Sequence, residues 1–581
     1  MLRSRVMTRT QVCYVSMEIA IAPEVPTYSG GLGVLAGDLI RAAADAAFPL
    51  VGITLLYREG YLRQRLDEVG IQHEEPEHWD YRAALEPTTL LVAVTIAGRV
   101  VTARVWRHDE IGYDGARVPV YLLDTDVDGN DDDARSLTAR LYSGDARHRL
   151  EQEMLLGFGA VAVLRALGIA PAVYHLNEGH SALVILALLE SEPFERVRER
   201  CVFTTHTPVP AGHDHFSASL AAEVLGEERL RALSSHELLT NNHLDMTFLA
   251  LRASRYTNAV SARHTQVARD MHPGFAIHTL TNGVHAGTWT SAPFHALFER
   301  HISGWRRDNA ALREINALPL DEIAQAHAQA KLALVERVAA ATGIVLDCAA
   351  FTIGAARRAT AYKRLDLVLS DPQRLRAIAR RHGPLQLLFA GKAHARDEAG
   401  KAQIAHVHEA ARALEPHVMI LFLEDYSMPW GAVLTSGVDL WLNTPRPPNE
   451  ASGTSGMKAA LNGVPSLSVR DGWWVEGGFD GVTGFVIDEE TSANDEMAAD
   501  ALYTLLDQTI LPLYYARPKD YAALMRSVIA INGAYFTAQR MLRGYVFDAY
   551  VRRGVLVDFP GPTKEDSFDA NDPTIDRPAL A

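Results

Sequence analysis

The chain has 581 residues, 48% of them hydrophobic and 22% charged, and a formal net charge of −15. That length exceeds one ordinary core and predicts about two to four domains, two of them large. The composition excludes wholesale disorder, and the negative balance leaves no broad basic surface for nucleic acid or anionic lipid.

The N-terminal Met1-Leu2-Arg3-Ser4-Arg5 leads into a strand-like run at 12–16 instead of an apolar signal core, so no export signal is read. Tyr28-Ser29-Gly30-Gly31-Leu32-Gly33 then precedes a helix-like run over 34–47. Glycines there permit close backbone approach, and a helix start can receive phosphate, but an ordinary glycine turn explains the spacing as well. Asp124, Asp126 and Asp128 begin like a calcium loop, yet the closing position holds Arg135, which repels calcium. An acidic, solvated loop is expected.

Helical patterns follow at 149–167 and 182–189, the second after a short strand-like run at 172–175. This alternation predicts parallel α/β sheets, and the eight apolar residues at 182–189 are too few to span a bilayer. A strand over 201–205 ends at His206, and the nearby His213-Asp214-His215 lacks the cysteine or HExxH partner of a zinc site, so no metal is expected. Cys13, Cys201 and Cys348 stand far apart, which argues against disulfides and fits a reducing cytoplasm.

A turn at Thr279-Leu280-Thr281-Asn282-Gly283 and helical segments over 311–342 precede a second strand series at 350–354, 384–390 and 418–423. The boundary is placed near residue 280, giving domains over 1–280 and 281–560, with a Pro- and Asp-rich tail over 561–581 expected to be mobile. Ligands of such open sheets bind beyond the strands' carboxyl ends, so two facing domains predict a cleft. The cations of Arg357-Arg358-Ala359-Thr360-Ala361-Tyr362-Lys363-Arg364 read as a solvated helix face in isolation; their place after a strand turns the reading towards a phosphate clamp. Lys458 follows Gly453-Thr454-Ser455-Gly456-Met457. A lysine with a depressed pKa condenses with aldehyde cofactors, though composition alone favours a surface lysine.

Taken in order, Tyr28 to Asp38, His175-Leu176-Asn177-Glu178-Gly179-His180, Phe203-Thr204-Thr205-His206-Thr207, Thr281-Asn282-Gly283, Ala361-Tyr362-Lys363-Arg364, Phe422-Leu423-Glu424-Asp425-Tyr426 and the Lys458 segment resemble the α-glucan phosphorylase family, in its compact bacterial-type branch. The resemblance covers most of the chain. It implies a GT-B architecture, with two Rossmann-like domains, an interdomain catalytic cleft and a C-terminal helix crossing back, supplied by 521–550. It further implies reversible, retaining phosphorolysis of an α-1,4-glucan or maltodextrin by inorganic phosphate, giving α-glucose 1-phosphate.

The cofactor so implied is pyridoxal 5′-phosphate, attached to Lys458. Thr454, Ser455, Lys363 and Arg357 resemble the residues around its phosphate, and Trp289 and Tyr426 resemble members of the cofactor and phosphate pockets. Arg358 resembles the principal ligand of the substrate phosphate, with the amides of Gly30 and Gly31 beside it. Asn282, Glu450, Ser452 and Gly453 would hold glucose, the His206 carbonyl would face its reacting side, and Glu178 and His180 would line the acceptor side. His206, Arg358, Lys363 and Lys458 form the implied catalytic set, with acid–base work carried by the cofactor's phosphate instead of the paired carboxylates of a hydrolase.

Ala20, Arg357 and Ser455-Gly456 depart from the longer relatives' pattern and bear on cofactor affinity. A nucleotide-sugar glucosyltransferase of the same fold and a non-catalytic glucan-binding protein are the alternatives. A homo-oligomer is compatible with the sequence.

Overall fold

The computed structural model describes residues 11–414 and 418–551, so the tail over 561–581 lies outside the described residues. Two sheets organise the chain. The first runs in the order His278–Thr279, Tyr256–Ala259, Cys201–Thr204, Val173–Asn177, Val12–Ser16, Leu50–Leu55, Arg117–Asp124, Arg99–Ile111 and Glu86–Ile96. Its pairs are parallel up to Arg117–Asp124, after which the two outer strands add antiparallel. The second, wholly parallel, runs in the order Val418–Leu423, Leu385–Ala390, Phe351–Ala356, Leu440–Asn443, Ser466–Val469 and Gly484–Ile487.

Strands covered on both faces need apolar residues throughout, not alternation. Every residue of Val12–Ser16 and of Phe351–Ala356 is buried accordingly. Helix Ala146–Ala166 packs one face of the first sheet, where Leu155 and Val163 share an apolar cluster with Val15 and Val51. Helix Gly31–Asp45 packs the other, with Leu35, Leu39 and Ile40 beside Val12 and Leu50.

The segment over 538–550 crosses back to that second face. Met541, Leu542, Tyr545, Val546 and Tyr550 join the same apolar cluster. A buried polar spine fixes the crossing: His175 bonds the Tyr550 hydroxyl at 2.6 Å through Nδ1 and the Thr204 hydroxyl at 2.8 Å through Nε2. Pairing each polar atom inside the core avoids leaving donors without partners.

A ribbon of two short strands, Arg63–Leu66 and Gln72–Glu75, reaches from the first sheet's side to the second. Gln64 Nε2 donates to the Gly391 carbonyl at 2.8 Å, Gln72 Nε2 to that of Ala393 at 2.9 Å, and Lys392 Nζ to that of Leu62 at 2.8 Å. The acidic loop after Asp124 is closed by cations of the chain, since Arg135 Nε donates to Asp126 at 2.7 Å and Arg58 pairs with Asp126 at 2.9 Å.

Candidate active site

The glycine loop and the cation cluster meet across the two domains. Arg358, just past the end of Phe351–Ala356, donates from Nη2 to the Ser29 hydroxyl at 3.3 Å. A Cβ on Gly30 would stand 3.2 Å from that same nitrogen, whereas one on Gly31 would meet nothing within 4 Å. The loop's glycines therefore let a guanidinium approach backbone at the start of helix Gly31–Asp45, where the first N–H groups lack intrahelical acceptors. The Gly30 amide itself is turned to the Glu18 carboxylate, at 3.3 Å.

Lys458 lies in helix Ser455–Leu461, which opens directly after the loop bearing Glu450, Ser452 and Gly453. Its side chain is buried, with Nζ 3.7 Å from the centre of the Trp289 ring. Burial pushes its ammonium down to about 8, against the opposing pull of Asp38 and with the help of Arg41. Trp289 is itself held, since Nε1 donates to Asp38 at 2.8 Å. Asn462 ties the two elements together by donating to the carbonyls of both Trp289 and Lys458, at 2.8 and 3.0 Å.

The remaining cations are already engaged. Lys363 forms an ion pair with Glu450. Arg357 is buried and donates to the Asn443 side chain at 2.9 Å and to the Leu442 carbonyl at 2.8 Å, which braces the neighbouring strand. The Ser455 hydroxyl accepts from Trp441 Nε1 at 3.0 Å and keeps its own proton to donate, and the Thr454 carbonyl accepts from the Lys458 amide at 3.2 Å. Gly453 stands at φ 74, the left-handed region a side chain resists, and so lets the chain turn from Ser452 into the helix. Burial raises the Tyr426 phenol, whose oxygen would stand 3.0 Å from a Cβ on Gly431.

On the other side of the cleft, Glu178 occupies φ 74, a strained backbone position for a residue with a side chain. Its carboxylate accepts from the His206 amide at 2.7 Å and the Thr207 hydroxyl at 3.0 Å, so it pins the loop that presents His206. The His206 ring bonds Asn177 Oδ1 at 2.7 Å. Burial lowers His206 and His180 to about 3, which keeps both imidazoles neutral. His180 Nε2 and Asn282 Oδ1 are buried without a hydrogen-bond partner among the described residues, and such orphans are what a ligand's hydroxyls would satisfy.

Several contributors escape sequence reading. Glu18, Tyr142, Asp38, Asn177 and Asp471 brace the loops, and Asp471 accepts from the Glu450 amide at 2.9 Å while burial lifts its carboxyl to about 7. Asp38 and Asn177 fall within the motifs that carry the resemblance, though neither has a role assigned there, whereas Glu18, Tyr142 and Asp471 carry no signal. His213 bonds the Thr247 hydroxyl at 2.7 Å, and Asp214, whose charge reaches His180, pairs with Arg149 at 2.9 Å. Among the described residues no cluster of three or more His, Cys, Asp or Glu could hold a metal ion, and no helix is long and apolar enough to cross a membrane.

One mixed and one parallel sheet, a cleft lined by loops from both and a segment over 538–550 that returns to the first define a GT-B glycosyltransferase. Comparison with known proteins narrows this. The carbohydrate phosphorylase family matches residues 199–478, and the starch synthase catalytic domain matches residues 11–282. The maltodextrin phosphorylase of Thermococcus litoralis is 39% identical over 93% of this chain and 70% of its own length. The glycogen phosphorylase of Mycobacterium tuberculosis is 36% identical, over 93% and 71%, and that of Aquifex aeolicus 33%, over 93% and 86%. The chain belongs to the carbohydrate phosphorylase family.

Proposed function

We propose that this chain removes the terminal α-1,4-linked glucose of a glucan or maltodextrin with inorganic phosphate and releases α-glucose 1-phosphate. The observation that carries this reading is Lys458, a buried cleft lysine whose amine is brought down to about 8 and stacked on Trp289. An amine in that state is a competent partner for an aldehyde at near-neutral pH. A surface lysine is not.

The residues fit pyridoxal 5′-phosphate. Lys458 and Trp289 would hold it, with Thr454, Ser455, Lys363 and Tyr426 towards its phosphate; Arg357, committed to Leu442 and Asn443, would contribute by framing the site. When bound, that group supplies a phosphate able to exchange a proton beside the substrate phosphate. Arg358 would fix the substrate phosphate by paired N–H donors at the start of helix Gly31–Asp45. Asn282, Glu450, Ser452 and Gly453 would orient glucose, and the orphaned Asn282 oxygen supplies an acceptor ready for a sugar hydroxyl. The His206 carbonyl would stabilise positive charge that develops on the ring, its loop held by Glu178. Glu450 is paired with Lys363 and Asp471 is turned to backbone, so neither is placed to act as a nucleophile.

The match of residues 11–282 to starch synthase supports the second reading, transfer from a nucleotide sugar. Lys458 favours the first, because a sugar nucleotide has no aldehyde to need it. The free thiols of Cys13, Cys201 and Cys348 agree with a cytoplasmic setting. Borohydride reduction of the purified protein and peptide mapping decide the matter: a pyridoxyl adduct on Lys458 is expected, together with phosphate-dependent glucose 1-phosphate release from maltodextrin. Glucosyl transfer from a nucleotide sugar, without such an adduct, would reverse the choice.

A further inference from the structure

Glu18 follows the central strand Val12–Ser16 and is 1% exposed. Its Oε2 accepts from the Ser29 amide at 2.6 Å and the Gly30 amide at 3.3 Å. Its Oε1 accepts from the Tyr142 hydroxyl at 2.8 Å and from the Ser29 hydroxyl at 3.4 Å. One carboxylate thus grips the glycine loop through backbone and side chain at once.

The loop is shaped around that carboxylate. A Cβ on Gly33 would stand 2.7 Å from Glu18 Oε2 and 2.6 Å from Tyr28 Cβ, so only glycine leaves room. On the loop's other side the Gly30 position admits Arg358, whose Nη2 reaches the Ser29 hydroxyl. Two glycines of one motif therefore accommodate opposite charges, and Ser29 is bonded to both. Tyr142 is held at φ 57, a conformation a tyrosine keeps only where its surroundings fix it, with its ring against Tyr61 and under Arg149.

We propose that Glu18 is the positioning residue of the phosphate clamp. It fixes the hydroxyl that aims Arg358, and by taking the Ser29 and Gly30 amides it determines which N–H groups at the helix start are left for phosphate. Tyr142 orients the carboxylate. The inference rests on the phosphorolytic reading and extends it to a residue that touches no reactant.

The test compares holoenzyme variants, with phosphate varied at saturating maltodextrin and maltodextrin varied at saturating phosphate. Glu18→Ala should raise the half-saturating phosphate concentration by about tenfold or more and change that of maltodextrin less than about twofold. Glu18→Gln keeps an oxygen for the Ser29 amide and an NH₂ for the Tyr142 oxygen, so it should return to within about threefold of the parent. Equal shifts for both substrates, or a Gln variant as impaired as Ala, would overturn the proposal.

Should Glu18→Ala not fold, Tyr142→Phe carries the test, with phosphate weakened by about two- to fivefold and maltodextrin unchanged. Unaltered phosphate dependence there overturns it equally. Thermal stabilisation by inorganic phosphate alone, larger in the parent than in the variant that folds, reads the clamp without turnover. A parent that responds to phosphate yet releases no glucose 1-phosphate would sink the functional reading and leave the clamp standing; equal stabilisation of parent and variant would remove Glu18.

Discussion

Arg358 and Lys458 do different work, and their surroundings separate them. Arg358 carries a fixed charge at the cleft, whereas Lys458 is buried against an indole face with its amine brought down to about 8. Replacing Arg358 by Ala removes a bidentate anion donor and should raise the phosphate requirement about a hundredfold while crippling turnover. Initial rates over a phosphate series check this, and an unchanged half-saturation would take Arg358 out of the site. For Lys458 the neutral amine is the reactive form, so the fraction able to attack rises with pH and levels off above about 8. The rate at which cofactor-free protein takes up pyridoxal phosphate, followed by absorbance between pH 6 and 9, should climb from pH 6 and flatten above about 8; a flat profile throughout would mean that the amine is not limiting.

At the level of elements, the final crossing explains why residues so far apart in sequence share a site. Leu542 is 1% exposed and packs on the first sheet's cluster, while Arg540, two residues earlier, donates to the Thr281 and Asn282 carbonyls at 2.6 and 2.7 Å. Leu542→Ala should therefore cost about 2–5 kcal/mol of stability by opening a cavity. Because the same segment steadies Asn282, glucan affinity should fall with it, which denaturant titration and maltodextrin kinetics report separately.

The parallel strands were legible because double-sided burial demands largely apolar runs, as at Leu385–Ala390. The outer hairpin was less so. Its strands Glu86–Ile96 and Arg99–Ile111 turn at Ala97 and Gly98, both at positive φ, and an alanine there gives none of the usual Asn-Gly or Asp-Gly signal. Glu18 was illegible for another reason: its partners Ser29, Gly30 and Tyr142 lie in separate loops, and nothing local to Ser16-Met17-Glu18 announces them.

Across the whole molecule, function has been built on a core that carries neutral histidines. His175 and His180 are held at about 3 and His264 at about 4, each chiefly by burial. An unfolded histidine titrates near 6.5, so below that value the unfolded chain binds protons that the folded chain refuses. Stability from these groups is accordingly complete above about pH 6.5 and declines as pH falls, towards 4 for His264 and towards 3 for His175 and His180, with each histidine contributing a slope of about 1.4 kcal/mol per pH unit once its unfolded form is charged. His175 bonds Tyr550 and Thr204, so its protonation sets the C-terminal crossing against the first sheet, and His180 lies in the proposed glucan cleft. Acid should thus loosen the crossing and the cleft together. Thermal unfolding followed from pH 8 to pH 5 should show a plateau and then a steep fall that begins near 6.5, with loss of maltodextrin binding tracking it. Stability that stays level down to pH 5 would mean that these imidazoles reach water, and that the tight packing between the 538–550 segment and the first sheet opens readily.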